Sequence, residues 1–226
     1  MMYIEIPLKL IGPFKWRELF SQTEASEKGV YLWTAPYKGK FLVYYVGETG
    51  GIKKPKSFAD RFVEHTRNVI SGLWDICDPD EFVMGHLKYK WEGWWKRREL
   101  KVPTRAVDFL ENYLEKDNLS KAAYDFLEAI QIFLIPMKNA DEPTRKRVET
   151  LIAEALFYQP GITHDFQDKY SFSDSNRQSY TKFERKSTED PIKVIFENSD
   201  KIFGLQQELR EDEIEAKKRL KSNLTT

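Results

Sequence analysis

Two tyrosines, an arginine, a histidine and a glutamate are the side chains in this sequence whose types and spacing could do chemistry. Tyr31 ends the triplet Gly29-Val30-Tyr31 and Tyr45 begins Tyr45-Val46-Gly47. Arg61 and His65 stand one helical turn apart in Arg61-Phe62-Val63-Glu64-His65. Glu149 lies in Arg147-Val148-Glu149-Thr150-Leu151-Ile152. A phenol can orient a water, but with a pKa near 10 it acts as a base only where positive charge lowers that value. An arginine offers a planar fork of donors that matches phosphate oxygens. Phosphodiester hydrolysis needs an activated water, charge stabilisation on the phosphate and help for the leaving oxygen. Each group also has a plain structural reading. Two tyrosines on neighbouring strands are a stabilising aromatic pair, and Arg61/His65 is an exposed arginine beside a boundary histidine.

The surrounding elements decide whether these groups meet. Val30–Thr34 and Phe41–Val46 read as two apolar strands joined by a turn over Pro36–Lys40. A three-residue loop Tyr37-Lys38-Gly39 puts Gly39 in the left-handed position such hairpins require. That register places Tyr31 across from Tyr45. It also puts Tyr31 and Trp33 on one face with Phe41, Val43 and Tyr45. After the basic loop Lys53-Lys54-Pro55-Lys56, Ser57 and Asp60 have the spacing of a capping box. The helix they start runs to about Ser71, with Gly72 at its end. Arg61 and His65 lie on the flank of its apolar stripe.

Ile130–Pro136 is a near-continuous apolar run, the signature of a strand covered on both faces. A basic helix follows from about Glu142 to Tyr158, ended by Pro160-Gly161. Glu149 borders its stripe of Val148, Leu151, Ile152 and Ala155, and Glu154 lies further round. Upstream, Met2–Ile6 reads as an edge strand and Pro13 to Glu24 as a helix with Pro13 in its first turn. Further helices are expected over Ala106–Glu115 and Ser120–Glu128, the second capped by Ser120. Asp165 to Asp190 reads as a long polar loop, Pro191–Glu197 as a strand, and the chain from Gln206 as a solvated, fraying helix with a disordered end.

Bulk composition narrows the classes. Charged residues are 32% of the 226 positions, yet the net charge is zero, so any surface for a polyanion must come from local clustering. Candidates are Lys53/Lys54/Lys56, Arg145/Lys146/Arg147, and a segment interleaving Trp91, Trp94 and Trp95 with Lys88, Lys90, Lys96, Arg97 and Arg98. Aromatics among basic residues suit a nucleic-acid strand, with bases on the rings and phosphates on the cations. Those tryptophans are equally core material. One cysteine, Cys77, excludes an internal disulfide, and with three histidines it excludes a Cys-rich zinc site. No run of about 18 apolar residues occurs. A soluble cytoplasmic protein with no membrane partner is expected.

Taken in order, these pieces resemble the GIY-YIG nuclease family. Gly29-Val30-Tyr31 is similar to the first motif, and Tyr45-Val46-Gly47 to the second, continued by Glu48-Thr49. The helix with Arg61 and His65, the buried strand, and the helix with Glu149 follow in the family's sequence. The resemblance covers roughly residues 29 to 160. It implies an α+β fold: a small three-stranded antiparallel sheet flanked by helices, with a helical insertion and a C-terminal extension. The implied division is an N-terminal extension over 1–28, a nuclease core over 29–165 with an insertion at about 73–128, and a partly disordered extension over 166–226.

The resemblance also implies an activity: a metal-dependent endonuclease that hydrolyses DNA phosphodiester bonds by direct water attack at a single-metal site, with Mg²⁺ or Mn²⁺. Glu149 would hold the metal and Arg61 the phosphate. Tyr31 would orient or deprotonate the water, and Tyr45 would share its hydrogen bonds. His65 would be a proton relay, a phosphate contact or a structural residue. Glu154 is the alternative metal ligand; Glu149 is preferred because it borders the apolar stripe and precedes Leu151-Ile152. The asparagine that often follows this helix in the family has no counterpart in residues 160–164. Two other classes stay open: a nucleic-acid-binding protein that does not cut, and an α+β protein-interaction domain with an aromatic partner surface.

Overall fold

The structure, a computed structural model, describes residues 2–50, 56–70, 118–157 and 189–223. Lys53, Lys54, Gly72, Cys77, the Trp-rich segment, the helix expected at 106–115, most of the insertion, the Pro160-Gly161 stop and nearly all of the 165–190 loop lie outside these residues.

The fold is α+β, and its main sheet has four antiparallel strands rather than three. The chain begins with β1 (Ile4–Lys9) and β2 (Ile11–Lys15), followed by a short helix α1 (Trp16–Leu19). The helix expected from Pro13 to Glu24 is therefore broken: its first three residues belong to β2, and α1 covers only Trp16–Leu19. Gly12-Pro13 is a cis peptide, and the pairing of β2 shifts register between Ile11 and Phe14, where Pro13 has no N–H to give a ladder. The hairpin consists of β3 (Gly29–Tyr37) and β4 (Lys40–Glu48). Next come α2 (Phe58–Ile70), α3 (Asn118–Ala129), the central strand β5 (Gln131–Pro136) and α4 (Glu142–Phe157). Ser120 lies within α3 rather than capping it.

The main sheet has the order β2-β5-β3-β4, so β5 is flanked on both edges. Four of its six residues are buried, as its unbroken apolar run requires. The N-terminal extension thus supplies a strand to the same sheet as the hairpin. The C-terminal extension is equally integral. There β6 (Ile192–Glu197), β7 (Glu208–Arg210) and α5 (Glu211–Asn223) follow in order, and a second sheet runs β1-β6-β7. Its first pair is parallel, from Ile4↔Ile192 to Lys9↔Glu197, joining the two ends of the chain.

Each face of the main sheet carries its own core. On one face Val30, Leu32, Val43 and Val46 pack with Val148, Leu151 and Ile152 of α4 and with Ile192, Val194 and Phe196 of the second sheet. On the other, Tyr31, Trp33 and Leu42 pack with Trp16, Phe58 and Phe62 and with Phe126 of α3. Helix α2 starts as its sequence predicts: the Ser57 N–H donates to Asp60 Oδ2 at 2.9 Å and the Asp60 N–H to Ser57 Oγ at 3.2 Å.

The hairpin register departs from the expectation. The turn has two residues, Lys38 and Gly39, both at positive φ (47° and 74°), the type I′ form whose twist matches that of the strands. A bulge then shifts the pairing between Trp33 and Thr34, with Tyr44 as the extra residue. The partner of Tyr31 is consequently Gly47, and Tyr45 lies opposite Trp33. Because one residue of slip reverses facing, Phe41 and Val43 lie on the aliphatic side, away from Tyr31.

Candidate active site

The glycine opposite Tyr31 explains how the site is built. A Cβ at Gly47 would fall on the Tyr31 phenol and within 2.7 Å of the Tyr45 ring. With hydrogen in its place, the Tyr31 ring leans across β4, the edge strand, toward the rim of the sheet. The Tyr31 and Tyr45 ring centroids remain 6.1 Å apart, now as diagonal rather than direct neighbours. Gly29 is held by the same kind of closeness: a Cβ there would strike the Ile135 carbonyl and the Phe58 ring. The Thr49 N–H donates to the Gly29 carbonyl and the Gly29 N–H to Thr49 Oγ1, both at 3.1 Å, closing the base of the hairpin.

From α2, His65 and Arg61 meet the phenol. Tyr31 Oη lies 2.5 Å from His65 Nε2, and both residues are fully buried. Burial, with the Arg61 charge nearby, lowers the His65 pKa to about 3, so the ring is neutral. Burial and the neighbouring Tyr45 raise the Tyr31 pKa well above 10, and Arg61 opposes that rise. The resting pair is therefore a neutral phenol against a neutral imidazole. In the Nδ1–H tautomer, Nε2 is the acceptor of the phenol proton.

The Arg61 charge acts on the Tyr31 phenol, and its guanidinium donates to Glu64 Oε2 at 2.7 Å. Its buried Nε has no hydrogen-bond partner. Burial pulls the Arg61 pKa down, but the two phenols and Glu64 outweigh it, and the group stays cationic. Tyr45 is half-buried and packs its ring 5.1 Å from Trp33 and 6.2 Å from His65.

Glu149 arrives from the other face. Helix α4 packs on the aliphatic side, yet the Glu149 carboxylate lies close enough to act on the charges of both Tyr31 and Arg61. The backbone of Glu48, on the edge strand, weakly favours its charged form. Burial and the Glu48 carboxylate raise the Glu149 pKa to about 8, with Arg61 and Lys146 opposing. Glu154, five positions on and about 140° round the helix, is buried.

The structure thus brings Tyr31, Tyr45, Arg61 and His65 into one contact network with Glu149 beside it. It does not bring in Arg145 or Arg147 as substrate-facing cations. Arg145 is buried, 3.5 Å from Glu48 and bonded to the Ala140 carbonyl at 2.7 Å. Arg147 is buried between Glu211, at 2.6 Å, and the Asp190 carbonyl, at 2.8 Å. Lys146 pairs with Glu142 at 2.6 Å. The basic run in the sequence is mostly internal wiring.

Glu48 carries no catalytic signal in the sequence, yet it borders the site. Its carboxylate accepts from the Gly50 N–H at 2.6 Å, and a Cβ at Gly50 would collide with it. Burial raises its pKa, opposed by that N–H and by Arg145. Its place directly after Tyr45-Val46-Gly47, as the continuation of that motif, is the signal that could have pointed to it.

Among the described residues no group of three or more His, Cys, Asp or Glu is placed to hold a metal, and no helix is long and apolar enough to cross a membrane. No protein-family model matches the chain, no curated protein matches it, and no solved structure matches it.

Proposed function

We propose that this protein is a metal-dependent endonuclease that hydrolyses DNA phosphodiester bonds, with Tyr31, Tyr45, Arg61, His65 and Glu149 as its working groups. The observation that carries this reading is the Tyr31–His65–Arg61 cluster reaching past Gly47 to Glu149. Its supports are a cation with an unused buried donor, a phenol with a neutral proton acceptor, and a carboxylate that burial and Glu48 leave short of positive charge.

A divalent cation fits this donor set. Glu48 is committed to Gly50 and Arg145, so among the described residues Glu149 is the carboxylate offered, and Mg²⁺ characteristically keeps most of its waters when so held. When bound, the ion would supply charge neutralisation on the phosphate and assistance to the leaving oxygen.

The protein groups divide the remaining work. Arg61 holds the phosphate through its guanidinium. Tyr31 keeps its proton and donates a hydrogen bond to His65, which leaves a lone pair on the phenol oxygen to accept a hydrogen bond from a water enclosed with it. That water is then fixed in line for attack. Deprotonation of Tyr31 is unfavourable in the resting site and becomes accessible only as positive charge gathers there. Tyr45, the partly exposed phenol, is the one placed to meet substrate directly.

Nicking of supercoiled plasmid in Mg²⁺ or Mn²⁺ tests this reading. Glu149→Ala should abolish nicking and Glu154→Ala should retain it; the reverse pattern would transfer the metal to Glu154. The complete enclosure of Tyr31 favours the second reading, a scaffold that binds nucleic acid without cutting. DNA binding with no nicking of any duplex, branched or single-stranded substrate would select it.

A further inference from the structure

Arg61 does not stand alone as a cation at the mouth of this site. Lys56, just ahead of α2, donates to Glu64 Oε2 at 2.8 Å, and Arg61 donates to the same oxygen at 2.7 Å. Two cations from different segments therefore converge on one anionic oxygen. All three side chains are partly exposed, with 33% for Lys56, 25% for Arg61 and 39% for Glu64, so the trio opens to solvent. Lys56, followed by Arg61, holds the Glu64 carboxyl below its usual value, so it is ionised at neutral pH.

We propose that Lys56 and Arg61 form a phosphodiester-binding subsite, and that Glu64 fills it in the free protein as an internal counter-ion which the nucleic-acid backbone displaces. A phosphate oxygen can accept the same two donors that now converge on Glu64 Oε2. The exchange costs little, because solvent screening leaves a partly exposed ion pair weak. It also keeps Arg61 extended toward the site before substrate arrives. This inference rests on the nuclease reading and adds to it the residue that shares the phosphate with Arg61.

The test uses the full-length protein and a labelled 20-base-pair duplex in EDTA, with affinity measured across a salt series. Lys56→Gln should weaken binding and lower the slope of log affinity against log salt by about one, and Lys56→Arg should restore the slope. Glu64→Gln should tighten binding roughly two- to fivefold, and this gain should vanish in the Lys56→Gln/Glu64→Gln double variant. Weaker or unchanged binding in Glu64→Gln, or an unchanged slope in Lys56→Gln, overturns the subsite and leaves the nuclease reading standing. No salt-dependent binding by the wild-type protein overturns both. Unfolding midpoints within a few degrees of wild type exclude a folding defect.

Discussion

The two faces of the four-stranded sheet are built from different materials. One is aromatic, with Trp16, Tyr31, Trp33, Phe58, Phe62 and Phe126. The other is aliphatic, with Val30, Leu32, Val43, Val46, Val148 and Ile152. Aromatic side chains bring polar handles inward, and this face buries a phenol and an imidazole that satisfy one another at 2.5 Å. The aliphatic face keeps its charges to the rim, where Arg147–Glu211 and Arg145–Glu48 tie α4 to its neighbours. A buried phenol–imidazole pair therefore belongs to one face and a carboxylate to the other. They meet only because Gly47 leaves the edge strand without a side chain.

The largest expected effect separates the faces by the sign of their pH response. On the aromatic face, His65 binds fewer protons folded than unfolded between about pH 3 and 6.5, so its contribution to stability is lost as pH falls through that window. On the aliphatic side, Glu149 binds more protons folded than unfolded between about pH 4.5 and 8, so stability is lost as pH rises through that window in EDTA. Each tenfold change in proton affinity on folding is worth at most about 1.4 kcal/mol. Thermal unfolding against pH should show a flatter acid limb in His65→Asn and a flatter upper limb in Glu149→Gln. A single variant that flattens both limbs would break the division.

Next in size is Arg147→Ala. It strands the buried Glu211 carboxylate, which otherwise accepts from Arg147 at 2.6 Å and from the Ile192 N–H at 3.0 Å. The loss should be about 3–5 kcal/mol in denaturant unfolding, with DNA affinity unchanged. Reduced affinity at unchanged stability would return Arg147 to the substrate surface. Smaller still is Gly47→Ala, whose methyl collides with the Tyr31 phenol. Overpacking of this kind costs about 1–3 kcal/mol. Because the notch joins the faces, nicking should fall further than stability does. Wild-type activity in this variant would show that the faces act without meeting there.

How much of this is legible in the chain depends on range. The capping box of α2, the apolar run of β5 and the stripe of α4 are local patterns, and they place these elements to within one or two residues. The two-residue turn sets the facing of Phe41 and Val43, and the bulge at Tyr44, which returns Tyr45 to the face of Tyr31, leaves no local signal in a run as apolar as Phe41–Val46. Pro13 reads as a helix start because proline fits that position as well as it fits an irregular strand. The pairing of Ile4 with Ile192 joins residues at opposite ends of the sequence, and no periodicity reports a partner that distant. The site is legible as types and order. Its wiring is not: Arg145 and Arg147 read as a basic patch because their buried partners, Glu48 and Glu211, are remote in sequence.

The central claim is that Tyr31 from one face and Glu149 from the other act on the same phosphodiester. Single-turnover plasmid nicking in Mg²⁺ by wild type, Tyr31→Phe, Glu149→Gln and the double variant tests it directly. The account predicts cleavage by wild type, a loss of at least about a hundredfold in each single variant, and no further loss in the double, since groups acting as one unit are not additive. Losses that multiply in the double variant, or a wild-type protein that nicks in neither Mg²⁺ nor Mn²⁺, would contradict it.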